Sequence, residues 1–197
     1  MREILFASTN ISKIEEVKSI FNKYAPKIKI VLPSDIGLNM DDVEEDGKSY
    51  LENAYIKAMY AYGKVHIPVI ADDSGYEIKQ FDGMPGLYTH RLYKEYPVEK
   101  LDTSKSMDII QHSAVCFVHS ILGYDLFEHK VKGQLLNTLR GDHLSYYMNA
   151  MIPDTYKKTF VELGDDFINE YSARALCMKE LIKKHGLNKL GKNGRRG

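Results

Sequence analysis

Val69-Ile70-Ala71-Asp72-Asp73-Ser74-Gly75 is the stretch on which the reading of this chain turns. A short apolar β-run gives way abruptly to two adjacent carboxylates, a hydroxyl and a glycine. Where a buried strand stops at a sheet edge, the next residues face a crevice, and such crevices hold ligands. Two neighbouring aspartates there repel each other and lose solvation, an arrangement that a divalent cation or a shared proton offsets. The expectation is a hard, oxygen-ligand metal site for a phosphorylated substrate. The same residues also suit a solvated Asp-Asp-Ser-Gly turn.

Working outward, residues 3–7 read as a buried strand, followed by the polar turn Ser8-Thr9-Asn10. Apolar side chains at Ile11, Ile14, Val17, Ile20 and Phe21 recur at helical spacing, which predicts a helix over 11–24 ended by Pro26. Residues 27–32 alternate as a second strand, and 33–47 form a loop with an acidic cluster. Residues 49–62 predict a helix that stops at Gly63. A strand over 68–71 precedes the acidic pair, a further alternation covers 76–80, and 82–86 is a turn. A helix is expected over 98–110, antiparallel strands over 113–122 and 127–135 joined near Gly123-Tyr124-Asp125, and a closing helix over 169–184. No repeat or linker divides residues 1–186, which read as one domain. The tail at 187–197 is almost free of apolar residues and reads as disordered or as an expression remnant.

Composition limits the function classes. Lysine plus arginine equals aspartate plus glutamate, at 27 each, so no global field favours a nucleic acid polymer or an anionic membrane. No apolar run is long enough to span a bilayer, and the N-terminus lacks a signal-peptide layout. Cys116 and Cys177 fall in structured segments and read as buried free thiols of a cytoplasmic protein. The seven histidines show no ligand spacing, and most of them read as surface or loop residues.

Five groups could carry chemistry. The turn Ser8-Thr9-Asn10 with Lys13 aims unpaired N–H groups and a helix dipole at one point, as a phosphate site does. It also suits plain N-capping by Thr9 or Asn10. Glu44-Glu45-Asp46-Gly47 precedes a helix on which Asn53 and Lys57 share one face. These acids could complete a magnesium site or only favour the helix dipole. The third group is Asp72-Asp73-Ser74-Gly75, and the fourth is the loop Gly83-Met84-Pro85-Gly86 with Tyr88 and Arg91. Lys158-Thr159 together with Ser172 and Arg174 forms the fifth, for which a solvated charged face is the plainer account.

In order, Ser8-Thr9-Asn10-x-x-Lys13, Glu45-x-Gly47 with Asn53-Ala54-x-x-Lys57-Ala58, Ala71-Asp72-Asp73-Ser74-Gly75 and Gly83-x-Pro85-Gly86-x-Tyr88-x-x-Arg91 resemble the inosine triphosphate pyrophosphatase family. The resemblance implies an α/β fold with a long mixed central sheet and two lobes around a nucleotide-binding cleft, usually in a homodimer. It implies magnesium-dependent hydrolysis of non-standard purine nucleoside triphosphates to monophosphate and pyrophosphate. Carried over, Ser8, Thr9, Asn10, Lys13, Lys57 and Ser74 would hold the substrate, and Glu45 and Asp73 would bind Mg2+. Asp73 would also be the base for the attacking water, with Asp72 beside it tuning the site.

The match breaks where the family reads the base. Its aromatic-Gly-Tyr-Asp-Pro loop corresponds to Ser145-Tyr146-Tyr147-Met148-Asn149, with Met148 in place of the aspartate. Its Ser-His-Arg triplet is Ser172-Ala173-Arg174, and the lysine four positions earlier is Ile168. Lost partners for a base change preference strongly, since an unpaired buried polar group costs about 1–3 kcal/mol. Tyr146 and Tyr147 suit stacking on a base or packing in the core. Two other functions compete: a nucleotide-binding module without turnover, and an enzyme cutting another nucleotide bond such as the glycosidic bond.

Overall fold

The computed structural model describes residues 3–189. Seven strands form one mixed sheet: β1 (Glu3–Phe6), β2 (Lys29–Val31), β3 (Val69–Ile78), β4 (Pro85–Gly86), β5 (Asp108–Ser120), β6 (Gly123–Leu135) and β7 (Met151–Pro153). Their order is β2-β1-β3-β5-β6-β7, with β4 paired to β3 off this path. β1 lies parallel to β2 and β3, and the remaining pairs are antiparallel. The helices are α1 (Ile11–Tyr24), α2 (Tyr50–Val65), α3 (Thr89–Leu92), α4 (Phe160–Leu163), α5 (Asp165–Tyr171) and α6 (Ala173–Lys184).

The apolar residues explain the layers. Ile4, Phe6, Ile70, Val115 and Phe117 pack on Val17, Ile20 and Phe21 of α1 and Met178 and Leu181 of α6. On the opposite face, Leu5, Ala7, Val69, Ala71, Cys116 and Val118 meet Ala54, Ala58 and Ala61. Those three alanines let α2 lie close to the sheet. A third cluster, including Ile78, Ile109, Leu135, Met151, Phe160 and Ile168, forms the core of the far lobe. The two buried cysteines are free thiols, as expected, and burial pushes both up to about 12. Among the described residues, no helix is long and apolar enough to cross a membrane.

Several expected elements differ from those observed. The strand does not stop at Asp72; β3 continues through both aspartates to Ile78, joining the two strands expected over 68–71 and 76–80. What stops is its neighbour. β1 pairs with β3 only at Val69 and Ile70, and β4 takes up the same edge at Tyr76. Between them residues 71–75 have β5 on one side and no strand on the other. The crevice is thus a gap in the sheet rather than a strand end.

The helix expected over 98–110 is a single 3-10 turn, Val98–Lys100. The Asp102 carboxylate accepts hydrogen bonds from the Ser104 N–H and hydroxyl, and Gln80 binds both backbone groups of Asp102. Those bonds replace the helical ladder, and β5 already begins at Asp108. The hairpin turns at Ile121 and Leu122, two residues before the predicted join. α2 runs through Gly63 and ends at His66, whose φ is 54°. The expected closing helix is split at Ser172, where an extended backbone (ψ 153°) lets the hydroxyl accept from Ala175 N and cap α6. Of the expected tail, Leu187–Lys189 form a 3-10 turn with Leu187 buried, and 190–197 lie outside the described residues.

Candidate active site

A cleft of about 720 Å³ opens at the gap in the sheet, lined by the β1–α1 turn, the acidic loop, α2, β3, β5 and the segment 144–148. Ser8, Thr9, Asn10 and Lys13 all line it. Asn10 is also the N-cap of α1, its Oδ1 accepting from Lys13 N at 3.2 Å. Capping therefore orients the turn, and the N–H groups at the start of a helix of 14 residues are presented beside it.

Strand alternation sends the two aspartates to opposite faces. Asp73 faces α2: its Oδ2 accepts from Asn53 Nδ2 at 3.0 Å, and its Oδ1 lies 3.4 Å from Lys57 Nζ. The same ammonium donates to Glu45 Oε2 at 3.1 Å, so two carboxylates converge on one cation at the cleft wall. Burial would lower the Lys57 pKa, but Asp73, Asp72 and Glu45 together raise it. These two carboxylates could hold a cation, since hard oxygen donors converging on one positive point suit one.

Asp72 faces α1 and α6, is 1% exposed and does not line the cleft. Its Oδ2 accepts from Arg174 Nε at 2.9 Å and lies 3.3 Å from Lys13 Nζ, while its Oδ1 accepts no hydrogen bond among the described residues. Burial pushes its pKa up, yet Lys13, Arg174 and Lys57 outweigh that and hold the carboxyl well below the usual range. Burial lowers the Lys13 pKa against the pull of Asp72. Arg174 also donates to Glu16 and, through its second terminal nitrogen, to Ser74 Oγ at 2.8 Å. Asp72 thus contacts Arg174 and Lys13 and not the cleft.

Other candidates are sorted by the fold. Ser172 is fully buried, donates to Glu16 and does not line the cleft. Lys158 is exposed outside the cleft, where Thr159 next to it caps α4. Tyr146 and Tyr147 both line the far end, but Tyr147 is 1% exposed and its hydroxyl donates to Tyr96 O at 2.8 Å, so it is a core residue presenting an edge. Met148 and Ile168, in the places of the family's aspartate and lysine, belong to the apolar core of that lobe.

Four residues were not anticipated. Glu16 anchors Arg174, and its i+3 spacing from Lys13 on α1 is a signal the sequence did offer. Tyr76 sits under the far end, its hydroxyl 3.1 Å from Ser145 Oγ and accepting from Gln111 Nε2 at 3.1 Å, while Gln111 Oε1 accepts from Ala173 N. His112 packs against Tyr50 with the two rings tilted by 56°, and its ring nitrogens lie 2.8 Å from Glu77 and 2.9 Å from Glu128. These contacts depend on strand register, which no local motif encodes.

Gly47 shows how closely the acidic loop is fitted. Its N–H donates to Asn53 Oδ1 at 2.9 Å, and a Cβ there would fall 2.5 Å from that oxygen. Gly47→Ala is expected to displace the loop that carries Glu45, lowering kcat/KM about tenfold or more with little change in Tm, because the displacement moves the Glu45 carboxylate without opening the core. Steady-state kinetics alongside a thermal melt checks this. Unchanged kinetics would show that the loop tolerates the shift.

Residues 4–184 match the Ham1 family. The chain is 29% identical over 197 residues to a dITP/XTP pyrophosphatase of Aquifex aeolicus (strain VF5), covering 91% of this chain and 95% of that one. It is 33% identical over 192 residues to a dITP/XTP pyrophosphatase of Dictyoglomus thermophilum, covering 91% and 92%. Among solved structures, the Staphylococcus aureus Ham1 protein superposes with a TM-score of 0.76 at 25% identity, covering 93% of this chain and 98% of that one. The ordered motifs, the mixed sheet and these matches converge: the chain belongs to the Ham1 family.

Proposed function

We propose that this protein is a magnesium-dependent nucleoside triphosphate pyrophosphohydrolase, acting on non-standard purine nucleotides with an altered base preference. The observation that carries the reading is the convergence of Asp73 and Glu45 on Lys57 in the cleft that the α1 N-terminus also lines. The names of the relatives, dITP/XTP pyrophosphatase, support the same class of substrate.

Two carboxylates fit Mg2+, which binds through one or two acidic side chains and keeps its other positions for substrate phosphate and water. When bound there, the ion would neutralise charge on the phosphoryl oxygens. The chain's own residues do the rest. The α1 N-terminus with Ser8, Thr9 and Lys13 holds the phosphates. Asp73, anchored by Asn53, accepts a proton from the water that attacks the α-phosphorus. The bond from that phosphorus to the bridging oxygen breaks, pyrophosphate leaves, and the nucleoside monophosphate remains. Lys57 balances the charge on Asp73 and Glu45.

The base end supports an altered preference. Met148 and Ile168 are apolar, and Ala173 contributes only a backbone N–H, already bonded to Gln111. Hydroxyls of Tyr76, Ser145 and Tyr146 stand around that end instead. The homodimer implied by the resemblance and the cytoplasmic location read from composition and cysteine usage belong to this reading, and sedimentation of the purified protein tests the first.

A hydrolysis panel of standard, deaminated and modified triphosphates, with every product resolved, tests the function. Monophosphate with pyrophosphate from one base class is expected. Free base, or no turnover with binding retained, would overturn it. Lys13→Ala should raise KM by about 10–100-fold with a smaller change in kcat, the loss expected for one charge-assisted contact of roughly 1.5–3 kcal/mol; an unchanged KM would remove Lys13 from the phosphate site.

A further inference from the structure

At the end of the β5–β6 hairpin, remote from the cleft lining, His119, Asp125 and His185 bring one ligand atom each within 4.8 Å of one another. From these residues the structure assigns a second metal site, for a first-row transition-metal dication such as Zn2+, that ties the hairpin to the C-terminus of α6.

The sheet builds the site. Phe117 and His119 lie near the end of β5, where the register with β6 shifts between Val118 and Ser120; their rings stand 5.7 Å apart, and Asp125 on β6 is the cross-strand partner of Phe117. His185, the C-cap of α6, packs against both rings, its own edge-on to Phe117 at 4.7 Å and 5.1 Å from that of His119. Phe117 is fully buried and props both imidazoles. The Nε2 atoms of His185 and His119 lie 2.8 and 3.5 Å from the same oxygen, Asp125 Oδ2. Lys184 Nζ binds the other oxygen, Oδ1, at 2.6 Å, which fixes the carboxylate with Oδ2 turned to the histidines. Such a partner outside the ligand set is what orients metal ligands elsewhere.

Gly123 adds a second, independent mark. A Cβ there would fall 2.4 Å from His119 Cε1. Only glycine leaves room for the ring to lie over the turn.

Two imidazoles and a carboxylate match zinc, cobalt or nickel rather than magnesium, which prefers oxygen alone. In a tetrahedral zinc site with bonds of about 2.0–2.1 Å, ligand atoms stand about 3.3 Å apart. The observed spacings, from 2.8 Å to no more than 4.8 Å, therefore shift by about 1.5 Å at most, the shortest opening and the longest closing, within reach of side-chain rotation in groups that are a fifth to a third exposed. Water fills the fourth position.

The experiment titrates the purified full chain with Zn2+ against a chromophoric chelator, in excess Mg2+ to occupy the carboxylates of the cleft, and repeats it with Co2+ to read coordination. One saturable equivalent with the intense visible bands of four-coordinate cobalt is expected. His119→Ala and His185→Ala should each weaken binding at least tenfold while far-UV circular dichroism and magnesium-supported hydrolysis persist. Zinc should also raise Tm by about 5 °C in the wild type and not in the variants, since a ligand held only by the folded state stabilises it. Absence of saturable binding, or binding unchanged in both variants, overturns the proposal. Neither result bears on the hydrolytic reading, whose residues lie elsewhere.

Discussion

Asp73→Asn should lower kcat by about 10²–10⁴-fold, the range for losing a positioned general base, while the protein still binds nucleotide. The substitution keeps shape and removes only charge and basicity. An amide at 73 can still accept from Asn53 Nδ2, but its own NH2 then points toward Lys57, another donor. Lys57 retains Glu45, so the fold loses little. Binding in the absence of metal should hold or tighten, because a carboxylate that repels the triphosphate has gone. Single-turnover kinetics together with equilibrium binding separates the two effects. Full turnover would remove Asp73 from the chemistry; loss of binding with folding intact would make it a binding residue instead.

The side of the cleft built by the β1–α1 turn, α2 and β3 was legible because its groups are local in sequence. A strand-to-helix turn, an i, i+4 pair on one helix and two adjacent aspartates each keep their geometry within a few residues. Even so, the local run at Asp72-Asp73 predicts a strand end, whereas β3 continues through it. The crevice arises because β1 stops pairing at Ile70, a property of the neighbouring strand that the local run does not contain. The helix expected over 98–110 failed for a related reason. Val98 and Leu101 have helical spacing and are buried as that spacing predicts, but Gln80, far away in sequence, takes the backbone of Asp102. Lys158 and Ser172 entered the candidate site through motif order alone. The first is exposed beyond the cleft and the second is a helix cap bonded to Glu16. His119 and His185 stand 66 positions apart, so no spacing rule could join them. Cross-strand register and helix docking bring them together.

The largest stability effect is expected at Arg174. Its guanidinium joins Asp72 on β3, Glu16 on α1 and Ser74, and all three acidic and basic groups of that chain are buried. Arg174→Met keeps most of the packing volume and deletes the charge, leaving Glu16 beside Ser172 and Asp72 beside Lys13 alone. Asp72 has no reserve, since its Oδ1 is already without a hydrogen bond among the described residues. Breaking a buried pair by removing one partner costs about 3–5 kcal/mol, and denaturant unfolding at neutral pH should read a loss of that order. The pH dependence gives a sharper test. In the wild type the Asp72 pKa is depressed in the folded state, so its contribution is complete above the ordinary aspartate value of about 3.9 and is lost as pH falls below it toward the folded value. In the variant, burial acts against Lys13 and Lys57 without the guanidinium, and the Asp72 pKa rises. The stability difference between the two proteins should therefore be greatest near neutrality and shrink as pH drops below about 4. A difference that stays constant across that range would mean that Arg174 stabilises by packing, and that Asp72 does not depend on it for its charge.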